Sequence, residues 1–213
     1  MIRLHGYWRS SAAYRVRIAL ALKGVAYEAV EVNLVAGEQR GDAYRAHNPQ
    51  GLVPTMEVAG TTISQSLAII DYLDATFHEP PLVPRDALAR AQVLAQALVI
   101  AADIHPLDNT RVLARLAEQF GADQAAKDDW YRHWIMEGFA ALEAMVGEHP
   151  LPGGPFLGGK APNLADVCLV PQMYNARRFD TPLDAYPRLV AADAAALAMP
   201  AIAAVQPDRV KPA

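Results

Sequence analysis

Ser10 and Ser11 open the run Trp8–Lys23, WRSSAAYRVRIALALK, which has the composition of a helix. A serine at a helix N-terminus can accept a backbone N–H bond and cap the helix. The same end has N–H groups without intrahelical partners and carries partial positive charge. Such a place stabilises an anion, a thiolate included. Ser10 and Ser11 therefore carry two readings: a cap alone, or a hydroxyl that also holds a ligand's sulfur in its ionised form. Gln65-Ser66 precedes a second apolar run over 67–77, with Ser66 as an N-cap candidate. Two helix starts of this kind suit a zwitterionic or multiply anionic peptide.

Other reactive side chains point to less. Cys168 is the single cysteine, so the chain forms no internal disulfide. It lies in an apolar helical run, where a thiol is ordinarily inert. The six histidines (5, 47, 78, 105, 133 and 149) show no metal-ligand spacing. By residue type alone Arg9 reads as a solvated surface charge. Asn163 and Asp166 have the spacing of a capping box before the apolar run Val167-Cys168-Leu169-Val170.

The elements that position these residues fall in two parts. Residues 2–4 form a short strand and 11–23 a helix apolar nearly all round, hence buried on two faces. Gly24 suits the left-handed position after it. Residues 27–34 alternate as a second strand, parallel to the first by a right-handed connection. A weak helix over 42–47 precedes Asn48-Pro49-Gln50-Gly51. Val53-Pro54 then leads a hairpin of 55–58 and 61–63. A cis Pro54 would turn the Val53 backbone towards a ligand, although trans is the commoner form. The order is β-α-β-α-β-β-α within residues 1–77. A proline-dense stretch, residues 80–86, links a domain over 1–79 to an all-helical one over 87–213, with helices over 88–102, 111–120, 164–176 and 189–199. Trp130, Trp134, Ile135, Gly138, Leu142 and Met145 make a stripe of helical period, read as core. Residues 150–154 are expected as a loop and 205–213 as a frayed end.

Composition narrows the class. Hydrophobic residues make up 53%, which excludes a disordered chain. Nineteen Lys and Arg against twenty-three Asp and Glu give a net charge of −4, without the basic excess of a nucleic-acid binder. No basic flank and apolar run of a signal peptide is seen, and no apolar stretch is expected to span a bilayer. These point to a cytoplasmic protein.

These features together resemble the cytosolic glutathione transferases: a thioredoxin-like N-terminal domain, Val-Pro before the third strand, Gln-Ser opening the next helix, and a helical C-terminal domain with an Asn-x-x-Asp box. Ser10-Ser11-Ala12-Ala13-Tyr14-Arg15-Val16-Arg17-Ile18-Ala19-Leu20 closely resembles the zeta-class signature of the maleylacetoacetate isomerases. Asn48-Pro49-Gln50, Gln65–Ile70, Ile104-His105-Pro106-Leu107 and Ala165–Gln172 extend the match over nearly the whole chain. Ala12 stands where the family has Cys and Tyr14 where it has Trp. The missing Cys makes the chain look somewhat like the related maleylpyruvate isomerases.

The resemblance implies glutathione as cofactor and cis–trans isomerisation of a maleyl dicarboxylate to its fumaryl isomer. It implies that Ser10 donates to the thiol, with Ser11 and the 11–12 backbone as helpers. Arg9, Arg111 and Arg177 would take carboxylates, Arg111 counting for the cofactor as well. Arg115 and Arg178 are lesser candidates. His105 would contact the thiol or glycyl end. Gln65 and Ser66 would bind the γ-glutamyl carboxylate, and Val53, held by Pro54, would pair its backbone with the cysteinyl unit. Gln50 and Asn109 are further cofactor contacts, and Asp103 would reach the γ-glutamyl amine across a homodimer interface. Ser-Ser-Ala-Ala takes the place of a thioredoxin's Cys-x-x-Cys, so the chain has no thiol pair for disulfide exchange. A general transferase acting on electrophiles, and a non-catalytic binding module, are the competing implications.

Overall fold

The computed structural model of the protein describes residues 1–148 and 153–212. Contacts divide the chain into two units, Met1–Leu82 together with Ala198–Ala213, and Val83–Leu197.

In the first unit, β1 (Arg3–Gly6) pairs in parallel with β2 (Glu28–Glu31). The link between them is α1 (Ser11–Leu22). β3 (Thr55–Val58) runs antiparallel to β1, and β4 (Thr61–Ser64) antiparallel to β3. The sheet order is β2-β1-β3-β4. α1 packs against α3 (Ser66–Thr76). Val16, Ile18 and Leu20 of α1 and Ile69, Ile70 and Leu73 of α3 are wholly buried with Met56. That agrees with a first helix apolar on most sides.

α1 ends as its sequence requires. Gly24 takes φ +63°. Val25 N–H donates to Leu20 O, and Gly24 N–H to Ala21 O, the paired bonds of a Schellman cap. β2 is shorter than the expected 27–34. Asn33 Oδ1 accepts the N–H groups of Val35 and Ala36, at 3.0 and 3.1 Å. A side chain that takes its neighbours' N–H groups turns the chain out of the ladder. The short α2 (Asp42–Arg45) buries Tyr44, whose hydroxyl donates to Leu52 O at 2.8 Å.

The second unit is helical. It holds α4 (Ala87–Leu98), a π-helical turn (Val99–Ile104), α5 (Thr110–Phe120), α6 (Gln124–Glu148), α7 (Leu164–Arg178) and α8 (Pro187–Leu197). α7 is buried along nearly its whole length, Cys168 included. The stripe on α6 is core only in part: Ile135 and Leu142 are fully buried, Trp130, Trp134, Gly138 and Met145 are half-buried, and Tyr131 and Phe139 complete the buried face. Gly138 is needed there, because a Cβ would come within 2.4 Å of the Ile104 side chain. Trp130 Nε1 donates to Leu107 O at 3.0 Å.

Three expectations are corrected. The helical run Ala87–Ile104 is, by length and composition, long and apolar enough to cross a bilayer. Its Val93, Ala97, Ile100 and Ile104 are buried in the core of the second unit. The end of the chain keeps regular structure as far as Val210. It forms α9 (Pro200–Ala203) and α10 (Pro207–Val210). These pack with the first unit rather than the helical one, because Arg17 Nε donates to Val205 O and Lys211 Nζ lies 5.3 Å over the Trp8 ring. Ser66 does not cap α3. Gln65 holds the N-cap position at φ +70°, so the chain enters the helix one residue early. Residues 149–152, with His149 and part of the loop expected at 150–154, lie outside the described residues.

Candidate active site

α1 begins at Ser11 because Ser10 caps it. Ser10 Oγ accepts the Ala13 N–H at 3.3 Å. A hydroxyl has two lone pairs and one donor. Capping uses a lone pair, so the O–H hydrogen stays available to a ligand. The two readings of Ser10 are thus compatible. Ser11 beside it is buried. Arg9 is exposed, with its guanidinium 5.3 Å over the Trp8 ring. Among the described residues no carboxylate pairs with it, which leaves its donors for an incoming anion.

The start of α3 is built from two distant segments. Gln65 adopts a backbone conformation that non-glycine residues rarely occupy. Such strain persists only where the surroundings fix it, and it concentrates at functional sites. Gln65 Nε2 donates to Gln50 Oε1 at 2.9 Å. Asn48 sets the Gln50 loop: its Nδ2 donates to Leu52 O, and its Oδ1 accepts the Gln50 N–H. Ser66 is buried, and its Oγ accepts from Arg15 Nη1 of α1 at 3.4 Å. The Val53-Pro54 peptide is cis. Ser10, Ser11, Gln50, Val53, Pro54, Gln65 and Ser66 therefore all belong to the first unit.

Asp103, His105, Asn109, Arg111 and Arg177 belong to the second. Asp103 is exposed in the π-helical turn and His105 follows it, half-buried. Turns of this kind recur at functional sites. Asn109 caps α5 by accepting the Arg111 N–H at 3.1 Å. Arg111 is exposed, without an ion-pair partner among the described residues. Arg115 pairs with Glu118 in solvent, and Arg178 lies 4.6 Å over the Phe179 ring.

Arg177 is held by a residue the sequence reading missed. Its Nη2 sits 2.6 Å from Asp193 Oδ2, on α8. The Asp193 side chain is fully buried while that of Arg177 is 45% exposed. Burial pushes the Asp193 carboxyl up, and the guanidinium beside it pulls it back down. The available signal was one aspartate in the alanine-rich run AADAAAL, since a buried carboxylate needs a partner.

Asp108 was also missed. It is buried between His105 and Asn109 in the chain, and neither carboxylate oxygen has a hydrogen-bond partner among the described residues. Burial pushes its carboxyl up to about 8. A folded-state value above the unfolded one (~3.9) means that the native chain binds more protons between those limits. The stability this contributes is full below ~4 and is lost as pH rises towards 8. Asp108→Asn is expected to remove that slope and to stabilise the protein at pH 8.5 by about 2 kcal/mol or more. Urea unfolding at pH 5 and 8.5 checks this; equal slopes for both proteins would refute it.

Residues 9–76 match the family model for the glutathione S-transferase N-terminal domain. The chain is 47% identical over 209 residues to the maleylacetoacetate isomerase of Rhizobium meliloti, covering 98% of this chain and 97% of that one. The chain belongs to the zeta class of the glutathione transferases. A holo structure of a bacterial maleylpyruvate isomerase of that class superposes with a TM-score of 0.95 at 42% identity, covering 98% of both chains. The maleylacetoacetate isomerase of Methylobacterium extorquens AM1, with malonate and GSH bound, superposes at 0.94 with 38% identity, covering 99% of this chain and all of that one. In a zeta-class chain the residues of the first unit fit glutathione by their own chemistry: a serine O–H at a positive helix end for a thiolate, and a cross-linked amide pair at a helix start for a charged backbone.

Proposed function

We propose that the protein is a glutathione-dependent cis–trans isomerase that converts maleylacetoacetate to its fumaryl isomer. The observation that carries this is the Ser10 hydroxyl, capping α1 through a lone pair at 3.3 Å with its hydrogen left to donate. Glutathione, when bound, supplies a thiolate that adds reversibly to the maleyl double bond and so permits rotation about it. Ser10, with the α1 N-terminus, keeps that sulfur ionised. Gln65, Ser66, Gln50 and the Val53 backbone hold the tripeptide, with Asn109, Asp103 and His105 as further contacts. Arg9, Arg111 and Arg177 supply the fixed positive charge that a dianionic substrate and a thiolate require.

Maleylpyruvate is the second reading, favoured by Ala12 in place of the family cysteine. A general transferase is disfavoured by the arginines, since electrophile conjugation asks for apolar walls. We further propose a cytoplasmic homodimer acting in aromatic catabolism, with no nucleic-acid or membrane partner. The test is turnover of both maleyl compounds by purified protein, with and without glutathione. Isomerisation that depends on glutathione supports the proposal, and isomerisation without it refutes it.

Arg177→Ala carries a prediction of its own. It leaves Asp193 buried without its cation, so stability should fall by about 2 kcal/mol. At a temperature where the variant is folded, kcat/KM for the dicarboxylate should also fall, while Arg177→Lys keeps part of both. Unchanged kcat/KM in Arg177→Ala removes its role at the substrate.

A further inference from the structure

We propose that His5, His47 and Glu57 form a binding site for one divalent transition ion of the zinc type, separate from every residue assigned to the reaction. Spacing along the chain shows no ligand pattern; folding creates one. In the β1–β3 register Arg3 lies opposite Glu57 and His5 opposite Thr55. Alternate residues share a face of a sheet, so Arg3, His5, Thr55 and Glu57 stand together. His47 reaches the same face from just beyond α2, which Tyr44 anchors there by a 2.7 Å bond to Thr55 Oγ1.

The three ligand atoms lie within 4.8 Å of one another. His5 Nε2 is 2.9 Å from Glu57 Oε1, and His47 Nδ1 is 2.8 Å from the same oxygen. Neighbouring ligands around a tetrahedral ion with bonds of about 2.1 Å are separated by about 3.4 Å, so the two contacts to Glu57 need open by only about half an ångström. Two imidazoles and one carboxylate form a donor set for zinc and its first-row neighbours. Magnesium and calcium prefer all-oxygen shells. In the absence of an ion, both ring nitrogens must present a hydrogen to one carboxylate oxygen; a cation takes the place of those hydrogens.

His5 is buried and fixes one ligand, whereas the His47 side chain is 41% exposed and that of Glu57 24%. Water can therefore complete the shell. One feature opposes binding: Arg3 Nη1 is 3.4 Å from Glu57 Oε2. That cation both repels the ion and competes for the carboxylate. Arg3 also contacts Glu28 at 3.1 Å, which gives it an alternative partner.

The test uses tag-free full-length protein, stripped with chelator and titrated with zinc chloride by calorimetry, with melting temperature as a second readout. One zinc per chain is expected, with a raised melting temperature and no comparable response to magnesium. His47→Ala and Glu57→Gln, both at partly exposed positions, should each weaken zinc by about 100-fold or more. Arg3→Gln should tighten it, and His133→Ala, in the separate pair with Glu137, should leave it unchanged. Circular dichroism establishes that each variant is folded. No saturable zinc binding, binding that survives His47→Ala or Glu57→Gln, or failure of Arg3→Gln to tighten it overturns the proposal.

Discussion

Ser10→Ala is expected to lower kcat/KM for the maleyl substrate by about 100-fold, the order seen when one well-placed donor to developing or fixed negative charge is removed. The variant should also raise the pH at which kcat/KM levels off, as the bound thiol returns towards its free value of about 8.5. Ser10 has a second duty, and its cost is separable. Loss of the cap to Ala13 should cost about 1 kcal/mol of stability. Loss of the cap alone cannot move a pH profile. Ser10→Thr keeps the hydroxyl and should restore most of both. A profile unmoved in Ser10→Ala, with kcat/KM reduced only in proportion to folded protein, would mean that Ser10 is a cap and nothing more.

Asp166→Ala should cost more stability than either Ser10→Ala or Arg177→Ala. The sequence marks Asp166 as half of a capping box, and the box is present: Asn163 Oδ1 accepts from Asp166 N–H, and Asp166 Oδ2 accepts from Asn163 N–H. The structure gives Asp166 two further duties. Its Oδ1 accepts the Leu157 N–H at 2.8 Å, and its Oδ2 the Gly158 N–H at 2.9 Å. One buried carboxylate thus ties the segment before α7 to the helix that forms the core of the second unit. Burial raises its carboxyl to about 6, against the pull of these N–H groups, so it is mostly ionised at pH 7.5. Removing it leaves three backbone donors unpaired, at about 1–3 kcal/mol each where buried. A loss of about 4 kcal/mol is expected, which for a chain of this length lowers the melting temperature by about 10 °C or more. A loss below about 1 kcal/mol would contradict this role.

The parts legible in the sequence are those decided by neighbours. Gly24 closes α1, the Asn163–Asp166 box opens α7, and the hairpin of β3 and β4 follows Val53-Pro54, because each depends on a few adjacent residues. The parts that were not legible join residues distant in the chain. Gln65 meets Gln50 only once the loop and α3 are in place. Asp193 reveals its purpose only when α8 lies beside Arg177. The early start of α3 follows from the backbone of Gln65, which side-chain type does not announce. The tail looks polar and disposable until Arg17, a cation on a buried helix, is seen to need the Val205 carbonyl. His5 and Glu57, 52 positions apart, meet through strand register, and His47 joins them only once Tyr44 has docked α2 on Thr55. Family resemblance supplied most of the site residues; their partners came from the fold.

In the proposed mechanism the nucleophile belongs to glutathione, and the protein binds it and keeps it charged. Turnover with S-methylglutathione in place of glutathione tests this most directly, since the analogue offers the same peptide contacts without an ionisable sulfur. The analogue should bind in competition with glutathione and support no isomerisation. Isomerisation at the glutathione-supported rate with the methylated tripeptide would contradict that mechanism.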